Sequence, residues 1–264
     1  MYFDVVASTG QVNTPPGSYR TVKEWIRQAY IDRFSNILEV GCSNGFISIE
    51  LARYVGATVT GIDLNQASVE AATRNIDQSV LSRVNFLCAD AGDLTFPDNH
   101  FSHVVIGGHL PFVLGNADRL LHIREAIRVL RPWGYVVTAM YYYHRTPPSD
   151  FIEKFNQAFD THLSSGHDER YWYRLFDQAQ LSLEFETTCD ISSPSRTRQD
   201  EYLAAFSAGD RELWESRVSL LVENGNYLRY FVRVYRKLAS DKTLIQVPRG
   251  GIYSEGRMVS GTSC

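Results

Sequence analysis

Ile37-Leu38-Glu39-Val40-Gly41-Cys42-Ser43-Asn44-Gly45-Phe46 is the stretch that decides the fold of this chain. A short apolar run of strand length passes through small residues into a helical pattern over residues 45–55. In an open α/β sheet, the carboxyl end of a strand beside a helix N-terminus is where nucleotides bind. Glycines there permit tight turns and a close approach of ligand to backbone. A dinucleotide fingerprint needs glycine at three positions of G-x-G-x-x-G, so that a pyrophosphate can lie on the backbone. Those positions hold Gly41, Ser43 and Phe46. The second has a side chain and the third is bulky, which speaks against a nicotinamide-dependent oxidoreductase. A cofactor without phosphate has less need of the cradle.

The pattern outward from this stretch is regular. Residues 21–32 carry apolar side chains at Val22, Trp25, Ile26, Ala29 and Tyr30, which is helical spacing. Strand-like runs stand at 36–40, 57–62, 83–88, 101–107 and 135–142. Helical runs lie between them at 45–55, 66–76 and 117–130, the last stopped by Arg131-Pro132-Trp133-Gly134. Strands alternating with helices imply right-handed βαβ units and a mostly parallel sheet. After Tyr143 the texture changes. Helices are predicted over 151–163, 169–179 and 199–222, the last broken near Gly209. Alternating strands are predicted over 181–191 and 227–238. The tail from 239 to 264 is polar and Gly-rich, and is expected to be poorly ordered unless it docks.

Glu39-Val40-Gly41-Cys42-Ser43-Asn44-Gly45 resembles the first motif of the class I S-adenosylmethionine-dependent methyltransferases of small molecules, an acid followed by G-x-G-x-G. Ser43 stands where the middle glycine usually is. Val59-Thr60-Gly61-Ile62-Asp63-Leu64-Asn65 continues the likeness, with Asp63 where the family's acid accepts bonds from both ribose hydroxyls. Phe86-Leu87-Cys88-Ala89-Asp90-Ala91 resembles the adenine-contacting turn. The resemblance implies that Asp90 faces the adenine amino group and that the Ala91 N–H donates to a ring nitrogen. Residues 94–101 resemble the family's L-P-F-P-D-x-x-F passage, and 128–135 its R-V-L-K-P-G-G turn. The likeness is specific over residues 36–142 and looser over 143–238.

The resemblance implies a Rossmann-like α/β fold: a mostly parallel seven-stranded sheet flanked by helices, with helical lid insertions. It implies a single domain over 1–238, with an N-terminal lid to residue 34, a core over 35–143 and a divergent half with a substrate lid over 144–238. The insertion over 192–226 is expected to cover the site. The implied cofactor is S-adenosylmethionine, leaving as S-adenosylhomocysteine. Its contacts would be Glu39, Gly41, Cys42, Ser43, Gly45, Asp63, Leu64, Asp90, Ala91 and Gly107, with Tyr19 from the N-terminal lid. Each has a plainer reading: a solvated strand-end acid for Glu39, turn glycines, a helix cap for Asp63, a loop carboxylate for Asp90. Four loops agreeing in order favour the cofactor reading.

Methyl transfer from a sulfonium needs little covalent help, because holding the acceptor in line supplies much of the rate. A base matters only where the acceptor must lose a proton. After the fourth strand, Gly107-Gly108-His109-Leu110-Pro111-Phe112 lacks the N-P-P-Y or D-P-P-Y pattern that holds planar amino groups of bases or glutamine. His109 is the first candidate to act as base or to orient the acceptor, and equally reads as a structural histidine. In Met140-Tyr141-Tyr142-Tyr143-His144-Arg145, alternation puts Tyr141 and Tyr143 on one face. Tyr141 is a candidate acceptor contact and His144 a second candidate base.

Composition bounds the partners. The net charge is −4 and the basic stretches are interrupted, so there is no stripe to neutralise phosphates and nucleic acid is not the expected partner. Four cysteines are scattered without a CxxC pair, which argues against zinc and disulfides and suits a cytoplasmic enzyme. The N-terminus does not read as a signal peptide, and no apolar run reaches the length of a membrane span. No metal ligand set is evident. The expected partner is a small organic acceptor methylated on N, O or C. Homodimers are common in the family, but no interface is specified. Two alternatives stay open: attack at the aminocarboxypropyl carbon with release of methylthioadenosine, and a cofactor-binding module without turnover.

Overall fold

A computed structural model describes residues 13–159, 161–179, 181–190 and 211–239, the last stretch without the side chains of 211–214. The expectations for residues 1–12, for 192–210 with its break at Gly209, and for the tail past 239 lie outside the described residues.

The chain builds α1 (Tyr19–Gln28), β1 (Asn36–Val40), α2 (Phe46–Val55), β2 (Thr58–Asp63), α3 (Gln66–Arg74), β3 (Val84–Cys88) and β4 (Phe101–Ile106). A 3-10 turn at Leu110–Phe112 leads to α4 (Asn116–Val129), β5 (Leu130–Tyr143), α5 (Ser149–Phe159) and α6 (Glu169–Asp177). Then follow β6 (Leu181–Asp190), α7 (Arg211–Asn224) and β7 (Leu228–Lys237). One seven-stranded sheet has the order β3-β2-β1-β4-β5-β7-β6. The first five strands run parallel, and β7 is antiparallel to both β5 and β6. The expected Rossmann-like α/β architecture is the observed one. The strand order reverses between β1 and β4, and the crevice outside their carboxyl ends is where ligands bind such sheets.

The central strands are buried on both faces: every residue of β4 is buried, as are the last four of β1. Parallel strands covered by helices on both sides read as continuous apolar runs, as these do. One face packs Val59, Val105, Val137 and Val232 against Trp25 of α1 and the apolar side of α2. The Trp25 indole N–H donates to the Thr138 carbonyl at 3.3 Å, so α1 is fixed to the sheet by a polar bond as well as by burial. The opposite face packs Leu38, Val104, Met140 and Phe231 against α4 and α6, with Trp172 fully buried.

Among the described residues, three elements differ from the sequence reading by four residues or more at one end. Helix α1 runs Tyr19–Gln28, where 21–32 was expected, because Tyr30 takes a positive φ of 55° and turns the chain toward β1. Strand β5 begins at Leu130, paired with Phe101, and not at Tyr135. Its register then jumps to His103 opposite Tyr135, so residues 131–134 bulge out of the ladder. Helix α5 ends at Phe159, short of the expected 163.

Two arginines lock the loops around the crevice. Arg128 of α4 donates to the carbonyls of Phe96 (2.9 Å) and Leu94 (2.7 Å) and to the carboxylates of Asp98 and Glu125. It therefore joins the two passages at 94–101 and 128–135 that the sequence shows only as separate matches. Arg119, also on α4, is buried and donates to the Leu110 carbonyl (2.9 Å), the His162 carbonyl (3.1 Å) and the Tyr171 hydroxyl (2.7 Å). Its guanidinium also lies 2.8 Å from His167 Nε2. Arg119 thus ties the 3-10 turn, the loop before α6 and α6 itself to one helix.

Candidate active site

The crevice begins with two carboxylates on neighbouring strands. Glu39, near the end of β1, is 1% exposed. Ser48 of α2 holds it with its backbone N–H at 2.9 Å and with its hydroxyl. Burial dominates these bonds and raises the Glu39 carboxyl to about 8. Asp63, at the end of β2, accepts the Ser43 N–H at 2.8 Å and the Asn65 N–H at 2.9 Å. Burial raises its carboxyl too, against those two bonds. The helix cap that Asp63 might have supplied comes from Asn65, whose side chain accepts the Ser68 N–H. Asp63 is thereby left at the rim with its carboxylate aimed by backbone donors.

The loop between them adopts left-handed backbone. Gly41 has φ +74° and Gly45 φ +87°, and Ser43 joins them at φ 48°. A Cβ on Gly41 would meet the His109 Cβ at 2.5 Å, and one on Gly45 would meet the Phe86 ring at 2.6 Å. These glycines serve close packing of the protein on itself as well as tight turning. Cys42 is buried, and burial with the nearby Glu39 and Asp63 pushes its thiol well up, so it adds backbone and bulk without a thiolate.

Leu64, Asp90 and Ala91, expected from the resemblance on the adenine side, sit beside this loop. Leu64 stands 73% exposed next to Asp63, an apolar side chain without an apolar cover. The Ala89 N–H donates to the Asp63 carbonyl at 3.0 Å, bringing the β3 turn to the β2 end. Asp90 accepts the Gly92 N–H at 2.8 Å and is otherwise open. Ala91 is half-buried beside it. Across the crevice, the N-terminal segment reaches the loop: Asn13 donates to Asn44 (3.2 Å) and to Ser43 (3.1 Å). Pro16 accepts from the Thr21 hydroxyl, and its ring lies near Gly108. Tyr19 follows, half-exposed, its ring edge-on to Phe46 at 5.0 Å.

The acceptor-side candidates do not form one cluster. Gly107 backs onto Ile47 of α2. His109 faces Gly41, and its Nε2 lies 3.4 Å from His122 Nδ1 of α4, the rings stacked 5.5 Å apart. Burial, then the neighbouring His122, lowers His109 to about 3, so the ring is neutral near pH 7. Tyr141 is 39% exposed, yet enough protein surrounds it that burial raises its hydroxyl to about 12. It meets Tyr230 of β7 edge-on at 6.3 Å. His144 lies past the end of β5, where its N–H donates to the Tyr227 carbonyl. Burial and the charges of Arg229 and Arg145 lower its imidazole. Sequence reasoning missed Ser48, His122 and Tyr230. All three act across elements, and no local spacing signals them.

The residues fit a cofactor carrying a diol, a cationic amine and a flat base: two aimed carboxylates, an open apolar side chain and an open acid at the right strand ends. Among the described residues no cluster of three His, Cys, Asp or Glu could hold a metal ion. No helix among them is long and apolar enough to cross a membrane.

Comparison with known proteins agrees with the geometry. Residues 37–134 match the family model described as a methyltransferase domain. A demethylmenaquinone methyltransferase of Listeria welshimeri is 32% identical over 115 residues, 42% of this chain and 47% of that one. The chain thus spans about half the length of the curated relatives it matches. Among solved structures, the MccD protein superposes with a TM-score of 0.75 at 26% identity, covering 86% of this chain and all of that one. The [4+2]-cyclase SpnF superposes at 0.70 with 20% identity, covering 90% and 94%, which shows a shared fold.

Proposed function

We propose that this chain, whose residues 37–134 match a methyltransferase-domain model, is a class I S-adenosylmethionine-dependent methyltransferase that binds S-adenosylmethionine and transfers its methyl group to N, O or C of a small-molecule acceptor. The observation that carries this is the pair Glu39 and Asp63, held by Ser48, Ser43 and Asn65 at adjacent strand ends beside the sheet's crossover. The bound cofactor supplies a methyl group activated by a sulfonium.

The chain's own residues bind and orient. Asp63 accepts from the ribose hydroxyls, using lone pairs its two backbone donors leave free. Glu39 pairs with the cofactor's amine, which stabilises its charged form. Leu64 covers one face of the adenine, while Asp90 and the Ala91 N–H read its edge. The backbone of Gly41, Cys42, Ser43, Gly45 and Gly107 shapes the floor, and Tyr19 with the Asn13–Pro16 segment covers the top. Tyr141 keeps its proton at neutral pH, so its hydroxyl donates to the acceptor and orients it. His109, with its Nε2 facing His122, positions the acceptor loop and is a poor base at a pKa of about 3. His144 is the remaining imidazole for an acceptor that must lose a proton.

We read residues 1–238 as one domain with its lids and 239–264 as a tail. We further take the acceptor to be a small molecule and not nucleic acid, in a cytoplasmic enzyme, with a homodimer as an open arrangement. The acidic balance supports this. The likeness to a demethylmenaquinone methyltransferase of Listeria makes demethylmenaquinone the first compound to try.

The test is calorimetric binding of S-adenosylhomocysteine to the protein and to Asp63→Ala. Losing the ribose contacts should weaken binding at least about tenfold, or about 1.4 kcal/mol, with an unchanged circular dichroism spectrum. Equal affinity would remove the ribose assignment. Turnover with candidate acceptors should yield S-adenosylhomocysteine. Methylthioadenosine as the product would replace methyl transfer with aminocarboxypropyl chemistry.

A further inference from the structure

His122 is a residue that neither the motifs nor the proposed chemistry uses. It projects from α4 into the gap between two loops that belong to opposite ends of the site. On one side its Nδ1 lies 3.4 Å from His109 Nε2, in the acceptor loop after β4. On the other, its Nε2 lies 4.0 Å from Asp90 Oδ1, in the adenine-side turn after β3. The His122 side chain is 17% exposed and the Asp90 carboxylate 59% exposed, so the acid is free to face a ligand or the imidazole. His109 cannot retreat, because its Cβ is pressed against Gly41.

We propose that His122 is a positioning residue for cofactor binding that competes with the ligand for Asp90 when it is protonated. Neutral His122 shares a single proton with His109 across the stacked rings and leaves Asp90 open to the adenine amino group. Protonated His122 has a second N–H, on the nitrogen that faces Asp90, and closing the 4.0 Å gap to that carboxylate satisfies it. The adenine amino group then loses its acceptor. The groups facing His122 are Asp90, the Asp118 carboxylate one turn back on α4, and His109. The two acids favour its protonation, and burial opposes it more strongly. The switch therefore operates on the acid side of neutrality. The inference rests on the adenine reading of Asp90.

The probe is methylthioadenosine, which has the adenosine end but no amine or carboxylate. Its binding does not involve the Glu39 proton. Its dissociation constant is measured by calorimetry from pH 7.5 to pH 5.0 for the protein, His122→Gln and Asp90→Asn. For the unaltered protein it should weaken about fivefold across that range, a coupling typical of linked sites. His122→Gln keeps a hydrogen-bonding partner for His109 without a titrating group, and its profile should be flat. Asp90→Asn should bind more weakly and lose the same pH dependence, and it serves if the His122 variant does not fold. Parallel profiles for the protein and both variants would overturn the role of His122. Failure of the unaltered protein to bind methylthioadenosine and S-adenosylhomocysteine at any pH would overturn the cofactor reading itself.

Discussion

At the residue scale, Glu39 sets a chemical requirement that the cofactor must meet. An acid enclosed near the end of β1, with a pKa of about 8, is protonated at neutral pH in the free protein. Its folded pKa lies above its unfolded one. Folding therefore binds a proton over roughly pH 4.5 to 8, and stability from this group falls as pH rises through that window. A ligand bringing an ammonium to Glu39 reverses the preference and expels the proton. S-adenosylhomocysteine should thus bind more tightly as pH rises from 6 to 8, by up to about tenfold per unit. Calorimetry at pH 6.5 in two buffers of different ionisation enthalpy should report close to one proton released. No release would place the amine elsewhere. The identity of Glu39 was readable in the motif. Its held proton was not, because that depends on the helix and strands that exclude water from it.

At the element scale, α4 organises the acceptor half. Arg119 satisfies the open carbonyls of the 3-10 turn and of the loop before α6, while contacting Tyr171 and His167 from a buried position. Replacing it with leucine takes the donor from the His162 carbonyl and the Tyr171 hydroxyl, while the Leu110 carbonyl keeps the Val113 N–H. Arg119→Leu should cost about 2–4 kcal/mol of unfolding free energy, read from urea denaturation. A loss below about 1 kcal/mol would mean the loops are held by packing alone. Hydrophobic periodicity located α4 and its neighbours to within a few residues. It gave no sign that a charged residue of α4 would be buried, because burial of an arginine follows from which carbonyls surround it. The jump in β5 was hidden for a related reason: Arg131-Pro132-Trp133-Gly134 reads as a turn, and only pairing with Phe101 draws Leu130 into the sheet.

At the scale of the whole molecule, the sheet brings Glu39, Asp63 and Asp90 to one edge, because β1, β2 and β3 run parallel and all end there. A ligand spanning these ends adds cross-links to those made by the sheet and by the Ser43 and Ala89 N–H groups on Asp63. S-adenosylhomocysteine at a hundred times its dissociation constant should stabilise the protein by about 2.7 kcal/mol and raise its melting temperature. No shift at that concentration would show that the ligand does not select the folded state. The alternation of strands and helices and the order of the motif loops were determined by the sequence, since each is written in local periodicity and spacing. The tertiary structure decided which side chains meet across elements. It buried Glu39 beside Ser48, gave the helix cap to Asn65, turned His109 toward His122 and set Tyr141 edge-on to Tyr230. Those outcomes depend on distances between segments far apart in the chain, which no local pattern of residues encodes.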